Sequence, residues 1–183
     1  FAIPITLDND EVNGFFVIEY HERSDKRLTE DRLHFLKIIT NILGDARTKT
    51  LYEERLYHSA YFDQITKLAN RNMLVKRLDQ SLLNRKESEK LAVLTIKLEN
   101  LRMINDTFGH STGDQVVMKS AAMLKELLGE CCDISKTDKG GFVLVMPHAE
   151  SNEQIESCAE RILAAFANPV STDTGVEALF VAL

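Results

Sequence analysis

The stretch Ile96-Lys-Leu-Glu-Asn-Leu-Arg-Met-Ile-Asn-Asp-Thr-Phe-Gly-His110, continued by Thr112-Gly-Asp-Gln115, decides how this 183-residue chain is read. The residues leading into it alternate. Ala92, Leu94, Ile96 and Leu98 point one way; Leu91, Val93, Thr95 and Lys97 point the other, the two-residue period of a half-buried strand. A helix containing Asn100 to Asn105 follows, then a turn over Phe108 to Gly113 and a second helix from Asp114 to Leu128. Gly140-Gly141 precedes a strand from Phe142 to Met146, and Ser151 to Phe166 is helical by the spacing of Ile155, Cys158, Ile162 and Ala165. A strand-like Ala178 to Leu183 closes the chain. Helices alternating with strands predict an α/β (α+β) sandwich with a mostly antiparallel or mixed sheet.

Upstream, the sequence changes character twice. Phe1 to Thr6 and Phe15 to Ile18 read as strands around a polar turn, Leu7 to Gly14, because Asp, Asn and Gly between β-formers signal a hairpin. Two strands cannot bury a core, so this piece is expected to belong to a larger sheet. Thr29-Glu30-Asp31 resembles a helix start, a capping residue followed by acids in the first turn. Leu36, Ile39, Leu43 and Ala46 then recur by three and four, a narrow apolar stripe at coiled-coil spacing that weakens at Thr50 and Glu53. Either a dimer seam or an amphipathic helix packed on its own domain fits this stripe. Past Asp63, Asn70-Arg71-Asn72 opens a further helical segment, Met73 to Leu83.

Composition narrows the class of function. Hydrophobic content of 44% and charged content of 27% are those of a soluble globular protein, and no apolar run reaches the length that spans a bilayer. A net charge of −6 offers no excess of cations to displace counterions from nucleic acid, so no nucleic-acid partner is expected. Cys131, Cys132 and Cys158 lack zinc-type spacing, as do His21, His34, His58, His110 and His148, and reduced thiols in a cytoplasmic protein are the reading.

Four stretches, in matching order and spacing, resemble the GGDEF family of diguanylate cyclases. Asp63-Gln-Ile-Thr-Lys-Leu-Ala-Asn-Arg71 is similar to the family's D-x-L-T-x-L-x-N-R opening. Ile96 to His110 resembles D-x-D-x-F-K-x-I-N-D-x-x-G-H, Thr112 to Gln115 fits the following G-D, and Lys136 to Val145 stands where R-x-G-G-D-E-F belongs. The first sixty residues look like the end of a GAF sensor domain, and Phe166 to Pro169 with Val170 to Glu177 is similar to GGDEF domains fused ahead of an EAL phosphodiesterase. The resemblance implies three segments: residues 1–28 as the last strands of a GAF domain, 29–60 as its signalling helix, and 61–183 as a truncated GGDEF domain of a bacterial GAF–GGDEF–EAL protein.

Active members of that family, as homodimers, condense two GTP into cyclic di-GMP, a ribose 3′-oxygen attacking an α-phosphate while pyrophosphate leaves. Carboxylates are needed there because magnesium is a hard cation that takes oxygen ligands. This sequence departs from the pattern at those positions. With Phe142 on the motif's phenylalanine, the acidic pair becomes Gly140 and Gly141; with the glycines aligned and two residues deleted, the pair is still missing. The first aspartate of D-x-D is Lys97, whereas Glu99 keeps the second and is expected to pair with Lys97. The change amounts to about four charges, and a divalent cation about 4 Å from Lys97 would be repelled by several kcal/mol at an effective dielectric of about 20. No catalytic residue and no metal ligand is therefore assigned, and magnesium is expected only together with bound GTP.

By resemblance Asn105 and Asp114 hold the guanine edge, Arg102 stands at the phosphate-contacting lysine, and Lys97 could itself replace metal charge against a phosphate. Asn105, Gly109 and their neighbours equally suit a structural reading, shaping and capping the turn between helices. The family's product-inhibition motif R-x-x-D falls on Gly129 and Cys132, with Asp133 one residue off, so no inhibitory site is expected. Three functions remain open: a silent regulatory module relaying a GAF signal to a downstream EAL domain, a residual diguanylate cyclase, and a dimerisation scaffold without a nucleotide.

Overall fold

The computed structural model describes residues 2–7, 11–18, 29–85, 89–129, 131–137, 140–173 and 177–178, the last two by backbone alone. Contacts divide the chain into two units, Phe1–His58 and Ser59–Leu183.

In the first unit, β1 (Ala2–Thr6) pairs antiparallel with β2 (Val12–Val17). Thr6 faces Val12 and Ile5 faces Gly14, so the second strand starts earlier than its sequence suggests and Gly14 lies within it rather than in the turn. α1 (Glu30–Tyr61) begins directly after Thr29, with Glu30 and Asp31 in its first turn. Its buried line is Thr40, Gly44 and Thr48. A Cβ at Gly44 would strike the backbone oxygen of Thr6, so glycine is what lets the helix lie against β1. That packing shifts the expected apolar seam. Leu36 and Ile39 are half-buried, and the outward large apolar side chains include Phe35, Ile38, Ile42, Tyr52 and Leu56, the last 69% exposed. Their three-four spacing, interrupted by Asp45 and Lys49, runs one residue ahead of the stripe starting at Leu36.

In the second unit, the family-like opening proves to be a folding device. The Asp63 carboxylate accepts from the Thr66 backbone N–H at 2.8 Å and from its hydroxyl at 2.6 Å, and Lys67 takes the positive φ of 58°. Such side-chain bonds to nearby backbone stabilise tight turns. Leu68 is thereby buried, and Asn70 caps α2 (Arg71–Asn84), its side chain accepting from Asn72 N–H and Met73 N–H.

β3 (Lys90–Lys97) is followed by α3 (Leu101–Phe108), α4 (His110–Leu128), β4 (Asp133–Lys136), β5 (Gly141–Ala149) and α5 (Asn152–Phe166). β6 (Val170–Ser171) and β7 (Glu177–Ala178) form a short antiparallel pair. The main sheet has the order β3-β5-β4 with both pairings antiparallel. Ala92, Leu94 and Ile96 of β3, with Phe142 and Leu144 of β5, meet Val116 and Leu124 of α4 and Ile162 of α5 in one apolar core. Two expectations change. The turn between α3 and α4 is Gly109 alone, at φ 87°, and the helix predicted from Asp114 begins at His110. β4 has no counterpart in the sequence reading. The predicted final strand, apart from Ala178, lies outside the described residues.

A polar cleft at the ends of β3 and β5

The strand ends create the candidate site. β3 finishes at Lys97, whose partner across the ladder is Gly141, the first residue of β5. Lys97, Arg102, Asn105 and Asp114, predicted from scattered motif positions, all line one cleft of about 740 Å³ together with Lys136 and Gly140. Gly141 forms the adjacent ladder position. Lys136 was not among the predicted contacts; it arrives because β4 pairs with β5, placing Lys136 opposite Phe142. Its ammonium donates to the Thr137 carbonyl at 2.7 Å and lies 5.8 Å from the Phe142 ring centroid.

Cations and acids are paired along the rim. The Lys97 ammonium is 3.3 Å from a Glu99 oxygen, the pairing expected from sequence, and Arg102 is 3.8 Å from Asp106 one helical turn on. Pairs so exposed contribute little and re-form readily. Asn105 is different. Its side-chain oxygen is buried and has no hydrogen-bond partner among the described residues. Gly113 of α4 packs against that oxygen so closely that any Cβ there would collide with it. Only the Asn105 backbone carbonyl serves the turn, accepting from Gly109 N–H at 3.0 Å. The side-chain oxygen is thus left with unmet hydrogen-bonding capacity among the described residues, a condition that costs free energy.

Both motif glycines are fixed by the backbone. Gly140 has φ 75°, where a side chain is strained, and a Cβ there would come within 2.7 Å of Leu101 Cδ2. A Cβ at Gly141 would meet the Ile96 carbonyl oxygen. The metal implied by the resemblance finds no matching donor set. Among the described residues no group of three His, Cys, Asp or Glu could hold an ion, and Glu99, two residues beyond Lys97, already faces its ammonium.

Elsewhere, Asp133 takes a 2.6 Å ion pair from Arg77 of α2, a partner invisible in the R-x-x-D comparison because it comes from a distant helix. Cys132 and Cys158 are buried and Cys131 is exposed. Burial first, then the neighbouring Cys158, pushes the Cys132 thiol up to about 12.

The second unit is thus an antiparallel sheet packed with helices, with a polar cleft at the ends of its two longest strands. Comparison specifies it: the chain belongs to the GGDEF family, whose profile, "Diguanylate cyclase, GGDEF domain", matches residues 60–179. Diguanylate cyclase DosC of Escherichia coli is 30% identical over 134 residues, covering 72% of this chain and 29% of DosC. The Mycobacterium tuberculosis protein Rv1354c is 31% identical over 139 residues, 75% of this chain and 22% of its own length. The chain thus spans less than a third of these relatives. Among solved structures, the GGDEF domain of Pseudomonas aeruginosa PA1120 (TpbB or YfiN) superposes with a TM-score of 0.60 at 28% identity, covering 64% of this chain and 69% of that one. The coiled coil and GGDEF domain of Caulobacter crescentus DgcB shares the fold, with a TM-score of 0.63 at 21% identity over 84% of this chain and 78% of that one. No described helix is long and apolar enough to cross a membrane.

Proposed function

We propose that this chain is a catalytically silent GGDEF module of cyclic di-GMP signalling, which holds GTP as a regulatory ligand and relays a signal along α1. The observation that carries the reading is the cross-strand pair Lys97–Gly141. These are two of the positions at which the family resemblance calls for carboxylates, and here an ammonium faces a residue with no side chain. A side chain at Gly140 or Gly141 would be strained, which supports the silent reading.

Nucleotide binding is supported separately. Arg102, Lys97 and Lys136 line the cleft, with Asn105 and Asp114 beside them. Guanine presents an exocyclic amine as a donor, which suits an aspartate acceptor. In this reading residues 1–28 end a GAF sensor, α1 is the relay, and the partner is an EAL domain of the same polypeptide. Homodimerisation uses the outward stripe Phe35, Ile38, Ile42, Tyr52 and Leu56 of α1, which is apolar, solvent-facing and correctly spaced.

Calorimetric titration with GTP and ATP tests the reading. GTP is expected to bind more tightly than ATP, and Asp114→Ala to lose the preference. Equal binding of both nucleotides, or none, removes the guanine assignment and leaves a dimerisation scaffold.

A further inference from the structure

We infer that the cleft takes its guanine nucleotide free of divalent metal, with the Lys97 ammonium as the counter-charge that a cation would otherwise supply. The inference rests on the nucleotide reading above and specifies the ionic form of the ligand. Lys97 ends β3 opposite Gly141, and its side chain is 71% exposed and, among the described residues, paired with Glu99 at 3.3 Å. An ammonium on four methylenes can leave such a surface pair for a stronger anion. Arg102, more exposed still, is paired among the described residues with Asp106 at 3.8 Å, and Lys136 is a third cation lining the same cleft.

Four acids, Asp63, Glu99, Asp106 and Asp114, also line the cleft, but none of them occupies the Lys97–Gly141 pair at the strand ends. Asp63 has one oxygen committed to the Thr66 N–H and hydroxyl, and Glu99 and Asp106 each face a cation. Asp114 stands on α4, at the position the nucleotide reading gives to guanine. Magnesium requires near-octahedral oxygen coordination, and among the described residues no group of three acids, histidines or cysteines could hold it. A magnesium–nucleotide complex therefore brings positive charge toward Lys97 while having part of its own phosphate charge neutralised. Both effects disfavour it relative to the uncomplexed nucleotide.

Titration of GTP into the full chain in EDTA, and again in excess magnesium, tests this for the wild type, Lys97→Ala and Lys97→Asp. The wild type is expected to bind at least about tenfold more tightly in EDTA, Lys97→Ala to lose about tenfold in EDTA together with the discrimination, and Lys97→Asp to prefer magnesium. Circular dichroism checks folding; because the side chain is exposed, Lys97→Ala carries the test if the aspartate variant is perturbed. Wild-type binding that strengthens with magnesium, or an unchanged Lys97→Ala, overturns the inference while leaving nucleotide binding intact. Absence of binding in both buffers overturns the nucleotide reading itself and this inference with it.

Discussion

Placing a methyl group at Gly141 is the perturbation whose consequence the structure defines most sharply. The new Cβ would lie against the Ile96 carbonyl oxygen, a backbone atom that moves only if the β3–β5 ladder opens at its Lys97–Gly141 end. Forcing atoms into a packed site costs about 1–3 kcal/mol, and the upper part of that range applies because no flexible side chain can give way. Gly140→Ala meets a different obstacle. Its φ of 75° costs a non-glycine residue about 1–2 kcal/mol, while the nearest atom, Leu101 Cδ2, ends a flexible side chain and can move. The expected order is therefore Gly141→Ala more damaging than Gly140→Ala, with the double variant non-additive because the residues are adjacent. Amide hydrogen exchange at Leu94 and Leu144, in the centre of the ladder, reports the second unit alone. Free energies of opening within about 0.5 kcal/mol of the wild type in both variants, the range of ordinary surface substitutions, would refute the claim that these positions demand glycine.

Other outcomes follow from the same geometry. Asn105→Ala is expected to leave urea stability within about 1 kcal/mol or to raise it, since a buried unsatisfied acceptor is removed, while GTP affinity measured by calorimetry falls. Asp63→Ala should lower stability by about 1–3 kcal/mol in urea denaturation, because the Thr66 N–H and hydroxyl lose their shared acceptor. Thiol labelling of the native chain at pH 8 should modify Cys131 and spare Cys132 and Cys158 until unfolding. Because burial pushes the folded Cys132 thiol up to about 12, its neutral form stabilises the fold below the ordinary thiol range, and that contribution is lost as pH rises from there toward about 12, visible as a falling thermal midpoint. Ile42→Asp, on the outward face of α1, should shift sedimentation toward monomer without unfolding the helix.

The parts legible from sequence were those whose signal is local. Alternation in Leu91 to Lys97 specified β3, and the spacing of Ile155, Cys158, Ile162 and Ala165 specified α5, whose start the structure caps with Ser151. Strand β4 was hidden because Asp133-Ile-Ser-Lys136 holds one large apolar side chain, and Ser135 is buried between Val143 of β5 and Ala69. Ser111-Thr112-Gly113 carries turn-forming residues yet is helical. Thr112 bonds its hydroxyl to the Phe108 carbonyl at 3.0 Å, and Gly113 is there for the approach of Asn105 rather than for its backbone freedom. In α1 the stripe was visible but its phase was not, since the Thr40–Gly44–Thr48 face is set by β1, a tertiary contact with no apolar signature. At the cleft, resemblance supplied Lys97, Arg102, Asn105 and Asp114, whereas Lys136 came from strand pairing, which no local pattern encodes.

The central claim is that an ammonium and two glycines at the ends of β3 and β5 leave nothing to assemble the metals for phosphodiester formation. Incubation of the purified chain with GTP and excess magnesium or manganese, followed by chromatographic detection of cyclic di-GMP and pyrophosphate, measures this directly. The account predicts unaltered GTP and neither product at any protein concentration. Accumulation of the cyclic dinucleotide, in proportion to protein and abolished by Asp114→Ala, would contradict it.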